Sequence, residues 1–223
     1  MSEAHNDNVM ELDFQNLKAL VARQRSAFRA EGDVTYATRI DRLKRLKALI
    51  VENKSEFATT TKREFNGARS YEFSLFSEFA SKVEAIDYSM KYLKEWMKPE
   101  KRKTNKPMNF LGGKGQVRYF PKGVVGIISP WNLPFGLTVA PLTSALAAGN
   151  RALLKPSEYV PETAALFADV VPKYFATEEV AVVTGGAETS QHFAELPFDH
   201  LLFTGSTRVG SQVMQSASKN LVP

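Results

Sequence analysis

The sequence predicts an α/β fold: a parallel sheet with helices on both faces, preceded by an amino-terminal helical segment and a β-hairpin. Three observations predict it. Apolar residues in roughly the first hundred positions recur at helical spacing. A stretch rich in Lys, Asn, Pro and Gly follows at residues 99–122. After Gly123, short continuous runs of β-branched and aliphatic residues alternate with amphipathic stretches. Continuous rather than alternating apolar runs indicate strands buried on both faces.

In the first segment Ile40, Leu43, Leu46 and Ile50 share one face, with Arg42, Lys44, Arg45 and Lys47 spread around the rest. Phe76, Phe79, Val83, Ile86, Met90, Leu93 and Met97 then recur at alternating spacings of three and four. That seam predicts a helix packed lengthwise against another. Gly32 and Gly67 separate three helices, and Pro99 closes the last. In residues 99–122, two short stretches near 108–110 and 116–120 flank Gly112-Gly113 and predict a hairpin. Its strands are short for an independent sheet, so it is expected to rest on another subunit or domain. From residue 123, strands are expected at 124–128, 151–154, 180–183 and 200–203, with helices at 137–148 and 162–174. Right-handed crossovers are the expected connections. The chain thus divides into helices (1–98), a hairpin linker of oligomerisation type (99–122) and a parallel-sheet region (123–223).

Hydrophobic residues make up 43% and charged residues 24%, enough apolar material for a packed core. No apolar run approaches the length of a membrane span, and the polar start lacks a secretory pattern, so a cytoplasmic protein with no membrane partner is expected. The sequence contains no cysteine, which excludes disulfides, thiolate metal sites and a thiol nucleophile within it. His5, His192 and His200 are too dispersed for a triad, and no metal is expected. The net charge is +5. Residues 1–106 carry this excess and residues 107–223 are neutral, so it is assigned to helices in which bases alternate with acids. Lys101-Arg102-Lys103, with Lys106 nearby, forms the one basic cluster and reads as a solvated linker. A neutral second half without a basic groove interleaved with aromatics argues against a nucleic-acid partner.

Three motifs sit at expected strand ends. Thr204-Gly205-Ser206-Thr207-Arg208-Val209-Gly210 leaves the last strand and opens a helix. Its first-turn amides, the helix dipole and the Ser206 hydroxyl suit a pyrophosphate, although for this stretch alone a plain glycine turn with a Ser/Thr cap is the better reading. Lys155-Pro156-Ser157-Glu158 could place a carboxylate on the two hydroxyls of a ribose, with the ammonium assisting. The alternative is a helix start with Ser157 as cap and Glu158 meeting the dipole. Ser129-Pro130-Trp131-Asn132-Leu133-Pro134 offers Asn132 either as a cap or as a neutral amide donor to a developing oxyanion.

Taken in this order, the motifs resemble the aldehyde dehydrogenase superfamily. The matching stretches are residues 123–134, 148–158 and 203–210, and the resemblance runs from about residue 15 to the end. The spacing and Phe198-Asp199-His200-Leu201-Leu202-Phe203 are most similar to the class 3 branch, which includes bacterial coniferyl aldehyde dehydrogenases. The resemblance implies a Rossmann-like fold with NAD as cofactor, NADP being the alternative that the Glu158 carboxylate disfavours. It implies an oxyanion-hole role for Asn132 and adenosine-ribose contacts from Lys155 and Glu158. It also implies a pyrophosphate contact from Ser206 in the turn bracketed by Gly205 and Gly210, and a cofactor cleft lined by Ser129, Pro130 and Trp131. In that family a cysteine forms a thiohemiacetal with the aldehyde, hydride passes to nicotinamide, and a glutamate assists thioester hydrolysis. The sequence departs from the pattern by containing neither the nucleophilic cysteine nor that general-base glutamate. It is therefore read as the amino-terminal part of such an enzyme, without its catalytic domain and inactive alone, in a protein that is a homodimer when complete. The alternative is a non-catalytic nucleotide-binding or dimerisation module.

Overall fold

The structure is a computed structural model that describes residues 13–223. Helix α1 (Phe14–Glu31) is capped by Asp13, whose carboxylate accepts from the Asn16 amide at 2.8 Å, and ends at Gly32 with φ of 65°. Thr35 caps α2 (Tyr36–Glu64) by accepting from Thr38. The third helical stretch joins α3 (Tyr71–Ser74) to α4 (Ser81–Trp96) through a π turn at Leu75–Ala80. That turn corrects the seam. Phe79, Ile86 and Leu93 are buried and Val83, Met90 and Met97 pack against them, but Phe76 is 81% exposed. The i→i+5 turn holds one residue more than an α turn, so three-residue spacing no longer keeps Phe76 on the face of Phe79. Glu78 is turned inward instead, 1% exposed.

The hairpin is present with a different first arm. Strand β1 (Glu100–Arg102) pairs antiparallel with β2 (Gly115–Val117), Lys101 opposite Gln116. Residues 108–110 lie instead in turns at the far end, where the amides of Phe110 and Gly113 donate to the carbonyls of Pro107 and Met108. Lys101 and Arg102 of the basic cluster thus lie in β1, and Lys103 and Lys106 follow it. Residues 99–122 hold seven Lys and Arg against Glu100 alone, so the charge excess sits on the hairpin and not in the helices.

The main sheet contains β3 (Val124–Ile128), β4 (Arg151–Lys155), β5 (Val180–Val182) and β6 (His200–Phe203), all parallel, in the order β5-β4-β3-β6. Helix α5 (Gly136–Ala147) connects β3 to β4, and α6 (Pro161–Val170) with a 3-10 turn at Val171–Lys173 connects β4 to β5. Helix α7 (Ala187–Ala194) returns the chain to β6, and α8 (Thr207–Ser218) follows. Strands β3 and β4 are buried throughout, as their uninterrupted apolar runs require, while β5 and β6 at the two sides of the sheet are partly buried. Val125, Ile127, Ala152, Leu154 and Val180 share a core with residues of α2, α4, α5 and α6, while Val124, Ile128 and Leu153 meet Leu17, Val21 and Phe193. Phe57, Phe135 and Phe167 form an aromatic cluster in the first core, with ring centroids 4.7 to 5.4 Å apart. Gly126 faces the second core, where an added Cβ would lie 2.6 Å from the Phe198 ring.

The amino-terminal helices are tied to the sheet by polar contacts as well. The buried Gln24 amide donates to the carbonyls of Ala152 and Thr177. Arg42 bonds Glu31 and Glu179, Arg45 bonds both oxygens of Glu179, and Arg151 bonds Glu31. Helix α1 packs on one sheet face, while α5 and α6 cover the other with α2 packed outside them, and the loops gather at the carboxyl ends of the strands.

Candidate functional site

The chain runs from β3 to β4 and β5 on one side, then crosses back to β6 on the other. Between β3 and β6 the direction of winding reverses, and in open α/β sheets ligands collect in the crevice at that point. The register brings Ile128 opposite both Lys155 and Phe203. Immediately beyond, the Ser129 amide donates to the Lys155 carbonyl at 3.2 Å and the Thr204 amide to the Ile128 carbonyl at 3.1 Å. The three sequence motifs thus leave adjacent strands at the same edge.

In the loop between β3 and α5, the buried Ser129 hydroxyl donates to Thr138 at 2.6 Å, and Thr138 donates to the Pro134 carbonyl at 2.7 Å. Ser129 therefore ties the loop to the first turn of α5. Trp131 is half exposed and stacks on Phe65, with centroids 6.3 Å apart. Asn132 does not cap the helix. Its side chain is exposed and, among the described residues, takes part in no hydrogen bond, so the amide is free to donate. The amides of Phe135 and Gly136, which open α5, are instead met by the carboxylate of Glu78 at 2.9 and 3.0 Å. Glu78 also accepts from Arg69 at 2.9 Å, and Arg69 donates to the backbone carbonyl of Asn132 while lying over the Phe65 ring. Sequence reasoning missed Arg69 and Glu78. In an unbroken α-helix Glu78 reads as one more acid beside an apolar seam, and the two amides it meets lie more than fifty residues away.

At the end of β4, Lys155 is 1% exposed. Its ammonium donates to the Pro156 carbonyl at 2.8 Å and stands 3.6 Å from a Glu158 oxygen. Burial lowers the affinity of this lysine for its proton, and the Glu158 carboxylate works against that shift. The Glu158 side chain is about one-third exposed, so its carboxylate is the reachable member of the pair. Helix α6 begins at Pro161, so Ser157 caps the turn before it, accepting from the Tyr159 amide, and not the helix itself.

At the end of β6, Ser206 is the N-cap of α8, and its hydroxyl accepts from Val209 at 3.4 Å. Ser206 and Thr207 are exposed, which leaves the start of the helix open to an anion. Gly205 and Gly210 have a reason the sequence did not reveal. An added Cβ would lie 2.4 Å and 3.3 Å respectively from the Phe203 ring, so both glycines make room for an aromatic side chain of the chain itself.

The remaining candidates stand apart from this edge. His200 lies at the start of β6, 3.5 Å from the Lys122 ammonium, and burial followed by that charge lowers its proton affinity. His192 packs beside Phe14, and His5 lies outside the described residues. Among the described residues no group of His, Cys, Asp and Glu is placed to hold a metal, and no helix is long and apolar enough to cross a membrane.

The same assembly recurs in proteins of known structure. Over 93% of this chain, the fold superimposes with a TM-score of 0.87 on the substrate-bound state of Staphylococcus aureus AldH, at 31% identity and 44% of that chain. It superimposes with a TM-score of 0.79 on the NAD+ complex of an aldehyde dehydrogenase from Bacillus cereus, at 26% identity, covering 94% of this chain and 42% of the other. In sequence, it is 43% identical over 205 residues to a probable coniferyl aldehyde dehydrogenase of Caulobacter vibrioides, covering 92% of this chain and 42% of that protein. The chain thus spans less than half the length of these relatives. Residues 3–223 match the aldehyde dehydrogenase family pattern. The parallel sheet, the three motif loops at adjacent strand ends and this match agree: the chain belongs to the aldehyde dehydrogenase family.

Proposed function

We propose that this chain is the NAD(P)-binding portion of an enzyme that oxidises an aldehyde, aromatic and coniferyl aldehyde-like, to a carboxylic acid. The observation that carries the reading is the convergence of the loops of Asn132, Lys155/Glu158 and Ser206 at adjacent strand ends. The donor set suits a dinucleotide. The Glu158 carboxylate can accept from ribose hydroxyls, the buried Lys155 holds that carboxylate in place, and the open start of α8 with Ser206 can bind the pyrophosphate. Ser129, Pro130 and Trp131 line the crevice between them. A dinucleotide held there would supply the hydride acceptor for the oxidation.

In this reading Asn132 supplies the uncharged amide that stabilises oxygen as negative charge develops on it. The covalent step needs a nucleophile that this chain, with no cysteine, does not contain, so the chain alone is expected to oxidise no aldehyde. That step belongs to another segment of a longer protein, read as a cytoplasmic homodimer. Replacing Asn132 with Ala in that protein tests the assignment. Turnover should fall by about a hundredfold to a thousandfold with cofactor affinity unchanged. A loss smaller than about threefold removes Asn132 from the mechanism.

A further inference from the structure

We infer that Arg69 and Glu78 are positioning residues that clamp the Asn132 loop at both ends. The inference rests on the oxyanion role proposed for Asn132 and extends it to two residues outside the three strand-end motifs. One oxygen of Glu78 accepts from Arg69, and the other accepts from the amides of Phe135 and Gly136. Arg69 uses its second terminal nitrogen on the backbone carbonyl of Asn132. The circuit therefore runs from the Asn132 carbonyl through guanidinium and carboxylate to the start of α5, and closes through the loop itself. With that carbonyl held, the peptide plane after Asn132 cannot rotate, and the Cα from which its amide side chain springs is fixed.

Two features argue that this is more than a helix cap. A Ser, Thr or Asn would cap α5 without placing a charge in the interior. Glu78 is 1% exposed and the Arg69 side chain 13%, an expensive arrangement for stability alone, since two ions lose most of their hydration. Arg69 is held further by Phe65, 4.3 Å beneath its guanidinium, and Phe65 in turn stacks on Trp131 of the same loop. The second feature is the π turn. It is the local distortion that swings Glu78 inward between Phe76 and Phe79, and such turns are found frequently at functional sites.

The test uses the longer, catalytically competent protein that carries this chain as parent, Arg69→Met, Asn132→Ala and their double variant, with Glu78→Gln and Arg69→Lys beside them. Misplacement of a reacting group by a fraction of an ångström predicts a kcat about tenfold or more below the parent for Arg69→Met, with cofactor Kd within about twofold. In the double variant the Arg69 change should cost less than about twofold beyond Asn132→Ala, because a clamp has nothing left to position. Glu78→Gln keeps an acceptor for the two α5 amides but loses the charge that holds Arg69, and should reproduce the kcat loss with the fold intact. Arg69→Lys should recover only part of it, since one ammonium cannot span both partners in the fork geometry. Hydrogen exchange is the second readout, with peptides covering residues 131–136 exchanging faster in Arg69→Met and Glu78→Gln. Parent-like kcat in Arg69→Met, or losses that multiply in full with Asn132→Ala, would overturn the clamp. If Asn132→Ala itself leaves kcat unchanged, the oxyanion role fails, and exchange decides the clamp alone: faster exchange at 131–136 sustains it and unchanged exchange overturns it.

Discussion

Replacing Glu179 with Gln should destabilise the protein by an amount that depends on pH in a defined way. Glu179, just before β5, accepts from Arg42 at 3.0 Å and from Arg45 at 2.7 and 2.9 Å, and its side chain is 19% exposed. Burial alone would raise its pKa, but the hydrogen bonds from Arg45 and Arg42 outweigh burial and lower it from 4.5 to about 2. A depression of that size corresponds to about 3 kcal/mol of native stability. Because the native value lies below the unfolded one, the contribution is complete above about pH 4.5 and is lost as pH falls towards 2. Gln cannot titrate, so the stability gap between parent and variant should be about 3 kcal/mol at pH 7. It should narrow by about 0.8 kcal/mol at pH 4 and by about 2 kcal/mol at pH 3. Urea unfolding followed by circular dichroism at pH 7, 5, 4 and 3 measures that gap. A gap that stays constant between pH 7 and 3 would mean that Glu179 is not charged and paired as the coordinates place it. The attachment of α2 to the β5 edge would then need another source.

Three further substitutions have defined outcomes. Gly126→Ala places a methyl group 2.6 Å from the Phe198 ring and 2.7 Å from Leu201, so thermal unfolding should show a loss of about 1–3 kcal/mol. Gly186→Ala, with nothing within 4 Å of the new methyl, should lose no more than about 1 kcal/mol, the preference for Gly over Ala at the N-cap of α7. Under the proposed ribose contact, Glu158→Gln should shift the ratio of NADP to NAD affinity towards NADP, by about threefold to tenfold, because it removes a negative charge from the partly solvated edge where a 2′-phosphate would lie. Equal ratios in parent and variant, read by titration calorimetry of the longer protein, would remove Glu158 from the ribose site.

The strands were legible because burial on both faces leaves one chemical solution, a short run of Val, Ile and Leu. Residues 124–128 and 151–155 are buried without exception. The three strand-end motifs could be brought together on paper because parallel pairing leaves little freedom in where carboxyl ends lie. The first arm of the hairpin was not legible. Glu100–Arg102 is charged and exposed throughout, so its pairing with Gly115–Val117 is held by backbone hydrogen bonds that carry no side-chain signature. Dividing the chain at residue 106 also split the basic hairpin and credited its charge to the helices. The π turn escaped for a related reason. Hydrophobic periodicity presumes one period per helix, and the apolar residue Phe76 fits the α pattern on paper while pointing into solvent.

The β3–α5 loop shows why some of a site must be invisible to local reading. Pro130 and Pro134 stiffen the loop but bring no amide hydrogens, and Phe135, the residue before α5, has no side chain able to cap it. Local sequence therefore leaves the start of α5 uncapped, and the missing acceptor has to come from elsewhere in the chain. Glu78 supplies it from a helix that could be read only as core, and it reaches the loop because the π turn rotates it inward. A loop whose own residues leave its backbone amides unmet is thus itself a sequence signal. It points to a buried acceptor on the helix packed against it, and α4 with its π turn packs against α5 here. If the Phe135 and Gly136 amides exchanged with solvent as fast in the parent as in Glu78→Ala, which leaves them no acceptor, that chain of reasoning, from unmet donors to distant carboxylate to fixed loop, would break at its first link.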